Sequence, residues 1–379
     1  MKKRIDLVLI IISCALMIGL GAAFWLLPDK AISEKENRTL AKRPAFSMSN
    51  LLSGKFTADM GAYYADQFPA RDALIGIKAY AELSLFKGEN NGVLLTNDHY
   101  LIPRTEKANE SQLAKNIHSV SVFADAVDAP VYVVPLPRPV DVFSDKLPVF
   151  YPKQLSQTLF EQFEKLSEQA GLSIIDLYDP LCDSNYYYRT DHHYTSDGAF
   201  LCYRLMADTV GYTAFDKNYF TPEIVSQNFC GTSMRTSGFY LTPEDTITLY
   251  RYENDDAYEV TVEDDGSSMK GLYHWPALSS TDQYAVFLGG NHALARVTLP
   301  GADSTRPKLL MIRDSFADSI LPFLANHYDI TLIDLRYYKG NVQKLAAEEA
   351  FDAILIYQCL SEFDQNNGFS YLEIPYKQE

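Results

Sequence analysis

The stretch KLLMIRDSFADS, Lys308 to Ser319, decides how this chain is read. Lys308 to Ile312 is a short apolar run with turn-forming polar residues behind it, which predicts a buried strand. Asp314 and Ser315 stand where that strand gives way to a helix reaching about Leu324. Residues at such a junction commonly cap the helix by accepting from its first N–H groups. A serine there also has its hydroxyl exposed at the edge of the sheet, and the N–H groups and dipole behind it can stabilise a developing oxyanion. Cap and nucleophile are both open readings for Ser315.

Working outward, DITLIDLRYY, NVQKLAAEEA and DAILIYQC continue as strand, helix and strand. Upstream, PVYVVPLP (130–137) reads as a buried strand and residues 154–171 as an amphipathic helix ended by Gly171. LSIIDLY (172–178) follows as a further strand, and a helix runs through Ala199–Gly211. Short apolar strands alternating with helices imply a parallel sheet covered by helices, whose ligands bind beyond the carboxyl ends of the strands. Residues of about 215–280, rich in Thr, Tyr and Asp, read as an irregular or antiparallel β insertion.

The N-terminal side is different. MKKRID precedes an uncharged apolar run, Leu7 to Leu27, of about 30 Å at 1.5 Å per residue, long enough to span a bilayer. Lys2, Lys3 and Arg4 place this end in the cytoplasm and the body outside. A signal peptide cleaved near Gly21-Ala22-Ala23 is the rival reading, disfavoured because the apolar run continues through Leu27. A polar connector follows, then helical patterning interrupted at Phe68-Pro69, then hairpin signals in NNGVLLTNDHYLI and a helix over 108–127. The expected organisation is a tip and anchor at 1–28, a connector and helical/hairpin region at 29–107, and an α/β domain at 108–379.

The formal charge of −16 excludes binding to phosphate backbones, so no nucleic-acid partner is expected. Five cysteines without a CxxC pair argue against structural zinc. Cys182, Cys202, Cys230 and Cys359 lie beyond the anchor, with their pairing open.

A nucleophilic serine needs a base. Of the seven histidines only His327 follows Ser315, and Asp191-His192-His193 contains the only Asp-x-His. In an extended segment, Asp191 and His193 share a face while His192 points away. Asp191 then orients the His193 ring, whose other nitrogen takes the serine proton. Thr195, Ser196 and Asp197 supply a helix N-cap behind the loop. Asn291, after Gly289-Gly290, is the candidate side-chain oxyanion donor or, equally, a simple turn residue.

Glu36-Asn37-Arg38, the D-Q-F-P-x-R-D of Asp66 to Asp72, DHHY at Asp191 to Tyr194, FLGGNH at Phe287 to His292 and DSF at Asp314 to Phe316 occur in one order. In this the chain resembles the DHHW protein family and, through it, the SGNH-hydrolase-like alginate O-acetylation proteins. The resemblance implies an SGNH-hydrolase-like (flavodoxin-like) α/β fold, a parallel sheet flanked by helices behind the N-terminal transmembrane helix. It also implies an Asp191–His193–Ser315 triad and acetyl transfer to or from a cell-surface or exported polysaccharide; Arg313 and Phe316, flanking Asp314-Ser315, join Asn291 as candidates for the oxyanion or substrate side. A membrane-bound O-acyltransferase is the implied acyl donor; no cofactor and no metal are expected. Tyr194 replaces the fourth-letter Trp, and Arg313 replaces the glycine usual before Asp-Ser, which bears on the oxyanion geometry. Two other readings stand beside this one: a non-catalytic glycan-binding or scaffold protein of the same fold, and a metal-dependent hydrolase with Asp191, His192 and His193 as ligands.

Overall fold

Alternate residues along the strands feed opposite cores. Leu309, Met311, Leu355 and Tyr357 belong to one apolar cluster, and Leu310, Ile312, Ile354 and Ile356 to another. A sheet buried on both faces needs this near-continuous apolar strand composition. The computed structural model describes residues 2–376 except Glu34, Glu36, Asn37, Glu106, Val149, Phe150, Pro152, Lys153 and Ser304. The chain divides into two compact units, Asn91–Met234 with Leu241–Glu379 and Met1–Asn90 with Arg235–Tyr240.

The larger unit holds an eight-stranded sheet. Its strands are β1 (Val131–Leu136), β2 (Ser173–Ile174), β3 (Glu259–Val262), β4 (Ser268–Lys270), β5 (Leu294–Thr298), β6 (Lys308–Arg313), β7 (Asp329–Ile333) and β8 (Ala353–Cys359). Their order is β4-β3-β5-β7-β6-β8-β1-β2. The run from β2 to β7 is parallel, with Leu309 opposite Ala353 and Ile354 opposite Val131, whereas β5, β3 and β4 add antiparallel. The fold is therefore α/β with a mostly parallel central sheet, of the SGNH-like kind.

Helices Glu110–Ala126, Gln154–Gln169 and Val342–Glu349 cover one face through Leu113, Phe123, Phe163 and Val342. Helix Ser196–Val210 and the antiparallel pair Thr221–Phe229/Asp245–Arg251 cover the other through Cys202, Met206, Phe229 and Leu249. The segment leaving β6 packs into this second face through Phe316, Ile320 and Phe323. Those leaving β7 and β8 pack into the first through Val342, Leu360 and Phe363. Where neighbouring strands send their chains to opposite faces, a crevice opens at the carboxyl ends.

Two sequence expectations change here. LSIIDLY is strand only at Ser173–Ile174, because β2 has β1 as its single partner and Asp176 turns the chain by accepting from the Tyr178 N–H at 2.8 Å. Part of the stretch read as an insertion, β3 with β4, extends the central sheet itself. Cys182, Cys202 and Cys359 are free thiols, so no full pairing of the four cysteines forms.

In the smaller unit, helix Lys2–Leu26 is followed by helices Met48–Leu52, Lys55–Gln67 and Arg71–Ser84, the break between the last two falling at Pro69 as expected. Within it, Arg4–Leu26 is long and apolar enough to cross a membrane. The D-Q-F-P-x-R-D motif is a clasp: Asp66 takes Arg38 at 2.5 and 3.0 Å and the Ala41 N–H at 2.8 Å, while Gln67 bonds Lys30 and Ala41. The Arg38 guanidinium holds the Asp66 carboxyl down at about 2. Of the E-N-R motif, Glu36 and Asn37 lie outside the described residues.

Candidate active site

Asp314 and Ser315 differ in what their side chains bond. Asp314 takes the cap: Oδ1 accepts from the Phe316 N–H at 2.9 Å, and Oδ2 accepts from the Cys359 N–H at 2.7 Å, stapling the end of β6 to that of β8. Ser315 Oγ is left to reach His193 Nε2 at 2.7 Å. The element behind it is a single 3-10 turn, Ser315–Ala317, and a separate short helix, Leu321–Leu324, in place of the continuous helix expected. Pro322 lacks an N–H and fits only a first turn, so the helix restarts there. At the head of this turn the Phe316 N–H goes to the Asp314 carboxylate and the Ala317 N–H to the Asp314 carbonyl at 3.1 Å.

The histidine arrives from a loop anchored at long range. Asp245 accepts from the Arg189 N–H, the Thr190 N–H and the Thr190 hydroxyl at 2.9, 2.7 and 2.6 Å. Asp191, 4% exposed, accepts from the His193 N–H at 3.1 Å and the Thr232 N–H at 2.7 Å, and pairs with His193 Nδ1 at 2.6 Å. Gly231 permits that approach, since a Cβ there would lie 2.6 Å from the Thr190 carbonyl oxygen and 2.7 Å from Asp191 Cα. Burial pushes the Asp191 carboxyl up. The charges of His192 and His193 and the hydrogen bonds from His193 and Thr232 outweigh it, holding the group well below the usual carboxylate range.

The His193 ring lies flat on Tyr284, centroids 3.9 Å apart and planes 7° apart, with Phe316 at 4.9 Å. The Tyr284 hydroxyl is 3.2 Å from the Ser315 carbonyl oxygen and 3.3 Å from Ser319 Oγ, so one side chain touches both ends of the Ser–His pair. Tyr284, Thr232 and Asp245 were missed in the sequence; only proximity to FLGGNH could have drawn attention to Tyr284. Tyr194 hydrogen-bonds the Phe316 carbonyl and, at 2.9 Å, the Tyr357 hydroxyl, tying the histidine loop to the serine turn. Thr195 caps helix Ser196–Val210 as expected.

His192 departs from expectation. The loop bends at each residue from Arg189 to His193 instead of extending, so the two-residue alternation of a strand does not apply. The His192 and His193 rings pack together at 3.9 Å, and His192 Nδ1 lies 3.6 Å from Asp191. Burial and the neighbouring His193 push the His192 imidazole down to about 4. Asp191, His192 and His193 offer ligand atoms within 4.8 Å of one another. Both His193 nitrogens are already engaged, however, by Asp191 and Ser315.

His192, Asp314, Ser315 and Phe316 face a cleft of about 330 Å³, closed by Arg336, Cys359, Ser361 and Glu362 from the ends of β7 and β8 and by Arg138 and Pro139 after β1. Arg138 is committed to Asp141 at 2.8 and 2.9 Å, and Arg336 to Asp334 at 2.6 Å. Burial and the Asp314 charge raise the Glu362 carboxyl to about 7. Phe316 lines the cleft with its ring, its N–H being spent on Asp314. Arg313 and Asn291 are not among the lining residues. Arg313 is fully buried, 3.0 Å from Asp318 and 3.4 Å from Asn291 Oδ1, which Arg336 also approaches at 3.4 Å.

Solved structures share this architecture. A DHHW family protein from Eubacterium siraeum is similar over 75% of this chain and 95% of its own, with a TM-score of 0.62 and 16% identity. Bacillus cereus PatB1 with a sulfonyl adduct is similar over 74% and 97%, with a TM-score of 0.61 and 19% identity. In sequence, a probable alginate O-acetylase AlgJ of Pseudomonas fluorescens is 24% identical over 174 residues, 43% of this chain. A second AlgJ, from Pseudomonas putida, is 24% identical over 171 residues. The chain spans less than half the length of these curated relatives, 44% in each. Residues 126–333, more than half of the chain and including both the Asp191–Tyr194 loop and Ser315, match the family description of the DHHW protein, and the chain belongs to that family.

Proposed function

We propose that the protein is a serine O-acetyltransferase or acetylesterase acting on a cell-surface or exported polysaccharide. The observation that carries this reading is the continuous hydrogen-bonded chain from Asp191 through His193 to Ser315, at the crevice beyond β6. In it, Ser315 Oγ attacks the acyl carbon while His193 Nε2 takes its proton, and Asp191 stabilises the imidazolium that forms. Collapse of the tetrahedral intermediate leaves the acetyl group on Ser315 and returns the proton to the departing group. A sugar hydroxyl or water then attacks, deprotonated by His193, and releases the serine. The oxyanion is accepted by the backbone N–H of Ser315 itself at the head of the turn, since those of Phe316 and Ala317 are held by Asp314. The polysaccharide substrate is supported by the likeness to alginate O-acetylases, and a membrane-bound O-acyltransferase remains the proposed acyl donor.

The helix Arg4–Leu26 is read as an anchor with Lys2, Lys3 and Arg4 on the cytoplasmic side and the chain beyond Leu27 outside. The test is acetyl-ester turnover by the full-length protein in detergent. Ser315→Ala lowers it at least about a thousandfold with the fold intact. Near-native turnover in that variant leaves Ser315 structural, whereas no turnover by the native protein favours the scaffold reading.

A further inference from the structure

The stretch from Leu40 to Ala58, LAKRPAFSMSNLLSGKFTA, contains Lys42, Arg43 and Lys55 and no acidic residue, within a chain of net charge −16. It also displays apolar side chains to solvent: Phe46 is 63% exposed, Met48 61% and Leu52 82%. Its place relative to the apolar helix is set by ring contacts inside the smaller unit. The Arg43 guanidinium lies 5.1 Å over the Trp25 ring. Phe24 packs on Tyr63 and Tyr64, at 5.6 and 4.9 Å, from the helix that begins within the stretch at Lys55. Trp25 and Phe24 belong to the last turn of the spanning helix, the level at which aromatic residues meet the headgroups. The stretch is thereby held at the same depth, with basic and apolar groups together.

We infer that Leu40–Ala58 is a second membrane contact, lying in the headgroup layer of an anionic bilayer with Phe46, Met48 and Leu52 dipped toward the acyl chains. Basic residues beside apolar ones are the composition of an interfacial segment, in which the lysine stems lie along apolar surface and their ammonium groups meet lipid phosphates. Lys42 supplies such a group, as does Lys55, whose ammonium also reaches Asp59 at 3.0 Å. The inference rests on the anchor reading above. Its consequence is a smaller unit held to the membrane by two contacts.

The test places the full-length protein in vesicles of phosphatidylcholine, with or without phosphatidylglycerol, carrying a diazirine phospholipid. After photolysis, labelled peptides are mapped by mass spectrometry. Ile224 and Leu241, 58% and 80% exposed, are the apolar controls. Phe46–Leu52 is expected to be labelled about tenfold above both controls, as insertion of apolar side chains requires. Lys42→Gln with Lys55→Gln lowers that labelling about fivefold or more in the anionic vesicles and leaves ester turnover unchanged. Labelling of Phe46–Leu52 no higher than of Leu241, while Arg4–Leu26 is labelled, overturns the inference. So does cross-linking of this stretch to another protein in native membranes without lipid labelling. Absence of label from Arg4–Leu26 as well overturns the anchor reading first.

Discussion

The serine side of the site and the histidine side are built differently. Asp314, Ser315 and Phe316 are placed by β6 and by a cap made between neighbours in sequence. Asp191 and His193 are placed by Thr232, Asp245 and Tyr284, roughly 40 to 90 residues away in the chain. A local device can be read from a few residues, because strand, cap and turn have short-range rules. A ring orientation assembled from distant partners has none. The histidine side is therefore where activity is expected to be most sensitive to residues that touch no substrate.

The largest effect tests whether the two sides act as one. His193→Ala should abolish ester turnover to the same extent as Ser315→Ala, at least about a thousandfold, and the double variant should lose little more. Multiplicative losses would separate the two sides. Asp191→Asn comes next, lowering turnover by about a thousandfold or more, because an amide cannot balance the imidazolium and can hold the ring in the wrong tautomer.

Tyr284 sharpens the comparison further, since it holds the His193 ring by stacking and the Ser315 carbonyl by its hydroxyl. Tyr284→Leu should lower kcat about 10- to 100-fold with KM little changed, as misplacement of a catalytic group does. Tyr284→Phe keeps the ring and should recover most of that loss. Equal loss in both variants would shift the emphasis from stacking to the hydroxyl.

The smallest effect separates the adjacent histidines. His192→Gln should keep measurable turnover, and chelators should leave native turnover unchanged, whereas a metal site would need both rings. The same variant carries a pH signature. The His192 imidazole is held at about 4 in the fold against an ordinary 6.5. On acidification the unfolded chain therefore takes up this proton first, and stability is lost as pH falls from about 6.5 toward 4. Glutamine takes up no proton, so the fall of Tm across that window should be shallower in His192→Gln.

Much of the framework was legible. The alternating apolar strands of the parallel sheet, the break at Pro69 and the Thr195 cap all follow from period, capping and turn chemistry. What was not legible depended on tertiary partners. LSIIDLY shortened because an edge strand has one neighbour to pair with. β3 and β4 joined the central sheet because β5 offered a free edge, which nothing local announces. His192 and His193 pack together because Asp245 and Thr232 bend the loop out of the extended form that would have parted them. Arg313 carries its charge into the interior to meet Asp318, a partner five residues on whose burial no spacing rule reveals.

The central claim is that His193 activates Ser315, and covalent trapping tests it most directly. The full-length protein is treated at neutral pH with an arylsulfonyl fluoride, and the modified residue and its rate of modification are read by peptide mass spectrometry. The account predicts a single sulfonyl adduct on Ser315, formed at least about a hundredfold more slowly in His193→Ala. Modification at another residue, or an unchanged rate at Ser315 without His193, would contradict it.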